Sequence, residues 1–177
     1  GDESGFATRR GVDMMRVFAE RGLTAAGHLI RIRELVAENR GPDEMPPIVI
    51  VDRDGSVGAE VYGTIKAYAN DHPHEFVVYG FRGSDNARRL ADLFDTTRDE
   101  LWNNGAQWVK LGSLPRNDEK LKEDLHFFEW GSDIHGRKMK ATPKKEFRKE
   151  LQRSPDRGDA ALLAMWEPSE VHRDEER

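Results

Sequence analysis

Residues 47–52, Pro-Ile-Val-Ile-Val-Asp, constrain this 177-residue chain most. The run from Ile48 to Val51 is continuously apolar and β-branched. It is too short for a typical helix, and it offers no polar face to water. Such a run reads as a strand buried in the centre of a sheet. An acid, Asp52, ends it, and Asp54-Gly55-Ser56-Val57-Gly58 turns the chain into an expected helix over 59–70. Val61, Ile65 and Tyr68 share that helix's inward face. A second strand follows over 75–81, with Val77 and Val78 expected to be buried. Alternation of strand and helix predicts parallel pairing with right-handed crossovers, and therefore an α/β fold.

The flanking segments carry their own patterns. Residues 1–4 read as a turn, and 5–10 and 12–19 as the arms of a β-hairpin about Gly11. Thr24 is placed to cap a helix reaching Asn39, with Leu29, Ile32, Leu35 and Val36 on one face and Gly41-Pro42 as its stop. Charged helices are expected over 86–102 and 118–128, the second presenting Leu121, Leu125 and Phe128. Residues 130–133 and 137–141 flank Ile134-His135-Gly136 as a further hairpin. A basic helix over 143–152 and a last helix over 156–166 complete the series, before a charged tail at 168–177.

Composition removes several classes. There is no cysteine, so disulfides, thiolate metal sites and zinc fingers are excluded. The six histidines show no metal-ligand spacing. Gly55-Ser56-Val57-Gly58 is too short for a phosphate-binding loop and lacks its lysine. No apolar run approaches membrane-spanning length, and the chain reads as soluble and intracellular. The net charge of −5 gives nucleic-acid binding no support of its own. Basic residues can still gather on one face.

Three acids carry the chemistry. Asp52 sits at the C-terminal edge of its strand, which is where ligands bind in open α/β sheets. The alternative is a turn aspartate starting an Asx-turn into Arg53-Asp54-Gly55. Ser154-Pro155-Asp156 is a good helix start, and it accounts for Asp156 as an acid at the positive end of a helix dipole. It accounts less well for Asp159, which opens the otherwise small and apolar stretch Ala160-Ala161-Leu162-Leu163-Ala164. Three residues apart on a helix, Asp156 and Asp159 share a face, and two like charges there call for a cation. Oxygen-only donors of this kind suit Mg²⁺ or Mn²⁺. Just upstream, Lys138, Lys140, Lys144, Lys145 and Arg148 form a basic stretch. It is either a solvated helix face or a ridge that contacts phosphates.

The order of these motifs resembles the C-terminal nuclease domain of the large terminase subunit of tailed bacteriophages. Val-Asp-Arg-Asp-Gly-Ser-Val-Gly-Ala leads into a helix, and much later Ser-Pro-Asp-Arg-Gly-Asp-Ala-Ala-Leu-Leu-Ala opens the final one. The opening Gly-Asp-Glu-Ser-Gly-Phe-Ala-Thr-Arg-Arg-Gly looks like that family's turn after its first strand. The middle of the chain fits more loosely.

The resemblance implies an RNase H-like fold of the RuvC type. It has a mixed central sheet flanked by helices, with an added β-hairpin before the C-terminal helices, over residues 1–167. It implies an endonuclease that cuts concatemeric viral DNA during genome packaging in the host cytoplasm, using two Mg²⁺ or Mn²⁺ ions. Asp52 matches the family's second acid, and the Asp156/Asp159 pair the third, Asp159 being favoured. Implied partners are double-stranded DNA, an ATPase domain, the portal and the small terminase subunit, with no membrane. The family's first acid lies on a strand before the opening turn. The chain is accordingly expected to be a fragment lacking that strand and the upstream ATPase domain. Two other readings stand beside this one: a RuvC-type junction resolvase, and a non-catalytic RNase H-like module that binds DNA or a partner.

Overall fold

The computed structural model describes residues 3–41, 44–132 and 135–168. The expected turn at Gly1 and Asp2, Pro42, the hairpin residues Asp133 and Ile134, and residues 169–177 of the tail lie outside the described residues. The chain divides into two compact units. The first comprises residues 1–22 and 83–166, the second 23–82 and 167–177.

The second unit is built on the strand–helix–strand pattern. Strands β1 (Glu3–Arg10) and β2 (Asp13–Arg21) precede it in the chain, and helix α1 (Ala25–Asn39) opens it. Thr24 caps α1 as expected, its hydroxyl accepting from the Gly27 N–H at 3.1 Å. Strand β3 (Ile48–Asp52) pairs in parallel with β4 (Val77–Phe81), and α2 (Gly55–Asp71) is the crossover between them. Val51, Val61, Ile65, Ala69, Phe76 and Val78 form the core, and Leu29, Ile32, Val36 and Tyr68 pack on it. The apolar run is less enclosed than expected. Ile48 and Val77, which face each other in the register, remain 52% and 40% exposed. Both open their strands, and the core gathers nearer the Val51 end. Helix α2 also starts four residues early, because Gly55 adopts φ +73° and lets the chain enter the helix directly from the Asp54 turn.

In the first unit β1 and β2 form the expected antiparallel hairpin about Gly11. Glu3 and Ser4, expected in a turn, belong to β1. The chain then forms α3 (Thr97–Trp108), α4 (Glu119–His126), the β5 (Trp130–Ser132) and β6 (Met139–Ala141) hairpin, α5 (Lys144–Glu150) and α6 (Asp156–Leu163). Helix α6 lies against β1, where a Cβ at Gly5 would overlap the Asp156 carbonyl oxygen. Met14, Val17, Leu121 and Ala161 form the core of this packing. The β5–β6 hairpin is held by aromatic contacts. Trp102 stacks on Phe128 at 4.0 Å between ring centres, and Trp130 meets Phe128 at 4.9 Å and Phe94 at 5.5 Å.

One expected element, the helix over 86–102, is displaced. Residues 86–96 are not helical; the helix starts at Thr97. Thr96 and Asp99 form a reciprocal capping box that fixes this start. Upstream of it, the Glu100 carboxylate accepts the backbone N–H groups of Arg88, Arg89 and Leu90, which curls the chain there instead of extending it as a helix. No described helix is long and apolar enough to cross a membrane.

Candidate functional site

Asp52 closes β3 in the second unit. Its Oδ1 accepts from the Asp54 N–H at 3.0 Å, so the Asx-turn is realised. This contact uses one oxygen of the carboxylate. The turn is tightly built. A Cβ at Gly58 would lie 2.8 Å from the Asp52 carbonyl oxygen, so only glycine allows this return of α2 onto the strand end. Arg53 continues the β4 ladder, its N–H donating to the Phe81 carbonyl at 2.9 Å. Its guanidinium lies 5.4 Å from the centre of the Tyr62 ring.

Asp156 and Asp159 stand on the first turn of α6 in the first unit. Pro155 precedes them, and its carbonyl accepts the Asp159 N–H at 2.8 Å. The Asp159 side chain, 23% exposed, is faced by two cations. Lys144 Nζ lies 2.8 Å from Oδ2, and an Arg98 terminal nitrogen 3.7 Å from Oδ1. The protein thus supplies positive charge at the acid for which the sequence called for a cation. Arg98 is well fixed, since it also donates to the Thr142 carbonyl at 3.0 Å and lies 5.6 Å from the centre of the Trp102 ring. Lys144 is freer, with a side chain 43% exposed.

Sequence reasoning missed the residue that seats this turn. Asp124, on α4, is fully buried. One of its oxygens accepts the Gly158 N–H at 2.9 Å, and the other accepts from Arg153. Burial pushes the Asp124 carboxyl up, against the opposing pull of the Gly158 N–H and Arg153. Gly158 is tied to this arrangement, because a Cβ there would come within 2.8 Å of the Asp124 Cβ. A buried carboxylate therefore satisfies an orphan donor of α6 one residue before Asp159. The local sequence Lys122-Glu123-Asp124 reads as an exposed helix face, and its partners lie about thirty residues away.

The basic residues spread over the β6 hairpin and α5. Residues 137–149 hold seven bases and one acid, in a chain of net charge −5. Lys138 and Lys140 reach Asp95 at 3.2 and 3.0 Å. Their hydrogen bonds, Lys140's first, hold the Asp95 carboxyl below its usual value. Lys144 engages Asp159, while Lys145 and Arg148 are exposed on α5, with Arg148 donating to the Ser154 hydroxyl at 3.1 Å.

No group of three or more His, Asp or Glu side chains gathers as a metal site among the described residues. The donor chemistry nevertheless fits a hard divalent cation. Every candidate donor is a carboxylate oxygen, the donor type such cations take, and the two Asp159 oxygens face Lys144 and Arg98.

No protein-family model matches the chain, and no curated protein does. Solved structures do match. The chain resembles the nuclease domain of the large terminase subunit of bacterial virus Sf6 with a TM-score of 0.73 and 19% identity. The match covers 96% of this chain and 84% of that one. A mutant of the Sf6 domain with manganese and beta-thujaplicinol matches equally well, and another with calcium at a TM-score of 0.70, 20% identity and 94% and 83% coverage. The mixed α/β architecture described here is the fold of a phage terminase nuclease domain, of the RNase H-like kind.

Proposed function

We propose that the chain is a metal-dependent endonuclease that cuts concatemeric viral DNA during genome packaging, by two-metal phosphodiester hydrolysis. The observation that carries this reading is the likeness to the Sf6 nuclease domain over almost the whole chain. The motif order around Asp52 and Asp159 supports it. Asp52 and Asp159 are assigned as metal ligands and catalytic acids, with Asp156 as a further candidate beside Asp159. Bound Mg²⁺ or Mn²⁺ would supply Lewis acidity and a nucleophilic water to the phosphodiester.

The protein's own residues do the rest. The Asx-turn holds one Asp52 oxygen toward the Asp54 N–H and so limits rotation of the carboxylate. Arg98 and Lys144 keep positive charge at Asp159. Lys138, Lys140, Lys144, Lys145 and Arg148 offer charge to phosphates, which places a duplex without reading its sequence. On this reading the partners are double-stranded DNA, an ATPase domain, the portal and the small terminase subunit, with the host cytoplasm as the setting.

The reading is tested by incubating linear duplex and a four-way junction with the protein and Mn²⁺, beside EDTA controls. Mn²⁺-dependent cleavage of linear duplex supports it. Preference for the junction would move the assignment to a resolvase. Absence of cleavage on both, with no thermal stabilisation by millimolar Mn²⁺, would leave a binding module.

A further inference from the structure

Glu100 is an unusual carboxylate. It stands in the first turn of α3, is only 5% exposed, and points away from its own helix. It accepts from the N–H groups of Arg88, Arg89 and Leu90 at 3.2, 2.7 and 2.5 Å. Three consecutive N–H groups directed at one buried acid force the peptide over 88–90 to curl around it. The side chains of Arg88 and Arg89 are exposed. The same loop is anchored on its other side. The Met139 N–H donates to the Leu93 carbonyl at 2.8 Å, and Phe94 is buried beside Trp130. Asp95 takes Lys138 and Lys140. Loop 84–96 and the basic β6 hairpin therefore form one joined surface within the first unit.

We infer that Arg88 and Arg89 extend the phosphate-contacting surface beyond the β6 hairpin and α5, and that Glu100 is a positioning residue that presents them to the backbone of duplex DNA. The inference rests on the nuclease reading for the identity of its partner. Charge complementarity supports that partner, since the loop over 84–96, with two bases and three acids, and the segment over 137–149, with seven bases and one acid, together carry a net charge of +5. Pre-ordering by Glu100 lowers the entropy lost when the arginines engage phosphates. Contacts from these arginines to phosphates position the duplex and carry no sequence information.

The test is fluorescence anisotropy of a labelled 30-base-pair duplex in EDTA, between about 50 and 200 mM salt. The Arg88→Ala/Arg89→Ala variant should bind on the order of ten-fold more weakly at about 100 mM salt, and its salt slope should fall by roughly 1.8, two phosphates at about 0.9 each. Glu100→Gln gives the sharper readout. Removing an acid near a basic surface would by charge alone tighten DNA binding. The inference predicts weaker binding, because the amide nitrogen that replaces one carboxylate oxygen accepts no N–H, and the loop's anchor is loosened. Arg21→Ala, an exposed control paired with Glu3, should leave the slope unchanged. An unchanged slope in the double variant, or tighter binding by Glu100→Gln, overturns the loop's role while wild-type cleavage leaves the nuclease reading intact. A wild-type chain that neither binds nor cuts duplex overturns both.

Discussion

Asp124→Ala should unseat the start of α6. Asp124 is fully buried and joins the Gly158 N–H to the Arg153 guanidinium. Its removal leaves the Gly158 N–H without its acceptor inside the protein, a loss of about 1–3 kcal/mol. It also leaves Arg153 without its buried counter-charge. Breaking a buried pair costs about 3–5 kcal/mol in general. Here the guanidinium keeps Glu123 at 2.9 Å and the Lys120 carbonyl at 3.2 Å, and its side chain is 24% exposed. The expected loss is therefore at the lower end, about 3 kcal/mol for the whole substitution. For a chain of this size that lowers Tm by about 6–12 °C. Asp124→Asn, which keeps an acceptor for Gly158, should lose about half as much. Thermal melting followed by circular dichroism and urea unfolding at neutral pH measure both. A drop of less than about 2 °C for Asp124→Ala would refute the claim that this carboxylate anchors α6.

Gly5→Ala should destabilise the first unit by about 1–3 kcal/mol, because the new methyl meets the Asp156 carbonyl of α6 rather than a movable side chain; urea midpoints measure this, and an unaffected midpoint contradicts the packing. Tyr68→Phe should move Glu75 back up toward the ordinary carboxylate range. The Tyr68 hydroxyl at 2.7 Å is the largest cause of its depressed value, followed by Arg33. A depressed acid stabilises the fold above its unfolded pKa, and that stabilisation is lost as pH falls through its folded pKa. The stability gap between wild type and Tyr68→Phe should thus be constant near neutrality and close below the usual carboxylate range. A gap that widens on acidification would reverse the sign. Millimolar Mn²⁺ should raise the Tm of the wild type and raise it less in Asp159→Ala; equal shifts would take Asp159 out of the metal chemistry.

Much of the second unit was legible because its signals are local. Thr24, the apolar face of α1, the β-branched run and the Asp54-Gly55 turn each specify their element within a few residues. What was misread needed distant partners. Residues 86–102 carry Leu90, Leu93, Phe94 and Leu101, a spacing that suits a helix as well as the observed loop. The choice was made by Glu100, which captures the N–H groups of residues 88–90, and by the β6 strand that pairs with the loop. Asp124 was illegible for the same reason: its burial is decided by Arg153 and Gly158. At the candidate site the acids could be named from their motifs. The cations facing Asp159 could not, since Arg98 lies some sixty residues upstream and reads as part of a charged surface.

The central claim is that this fold cuts DNA through Asp52 and Asp159. The direct measurement is conversion of supercoiled plasmid in Mn²⁺ by the wild type, Asp52→Ala and Asp159→Ala side by side, with melting curves to show that each is folded. The account predicts nicking or degradation by the wild type alone, abolished by EDTA. Cleavage that persists in either folded variant contradicts the assignment of that acid, and persistence in both contradicts the mechanism.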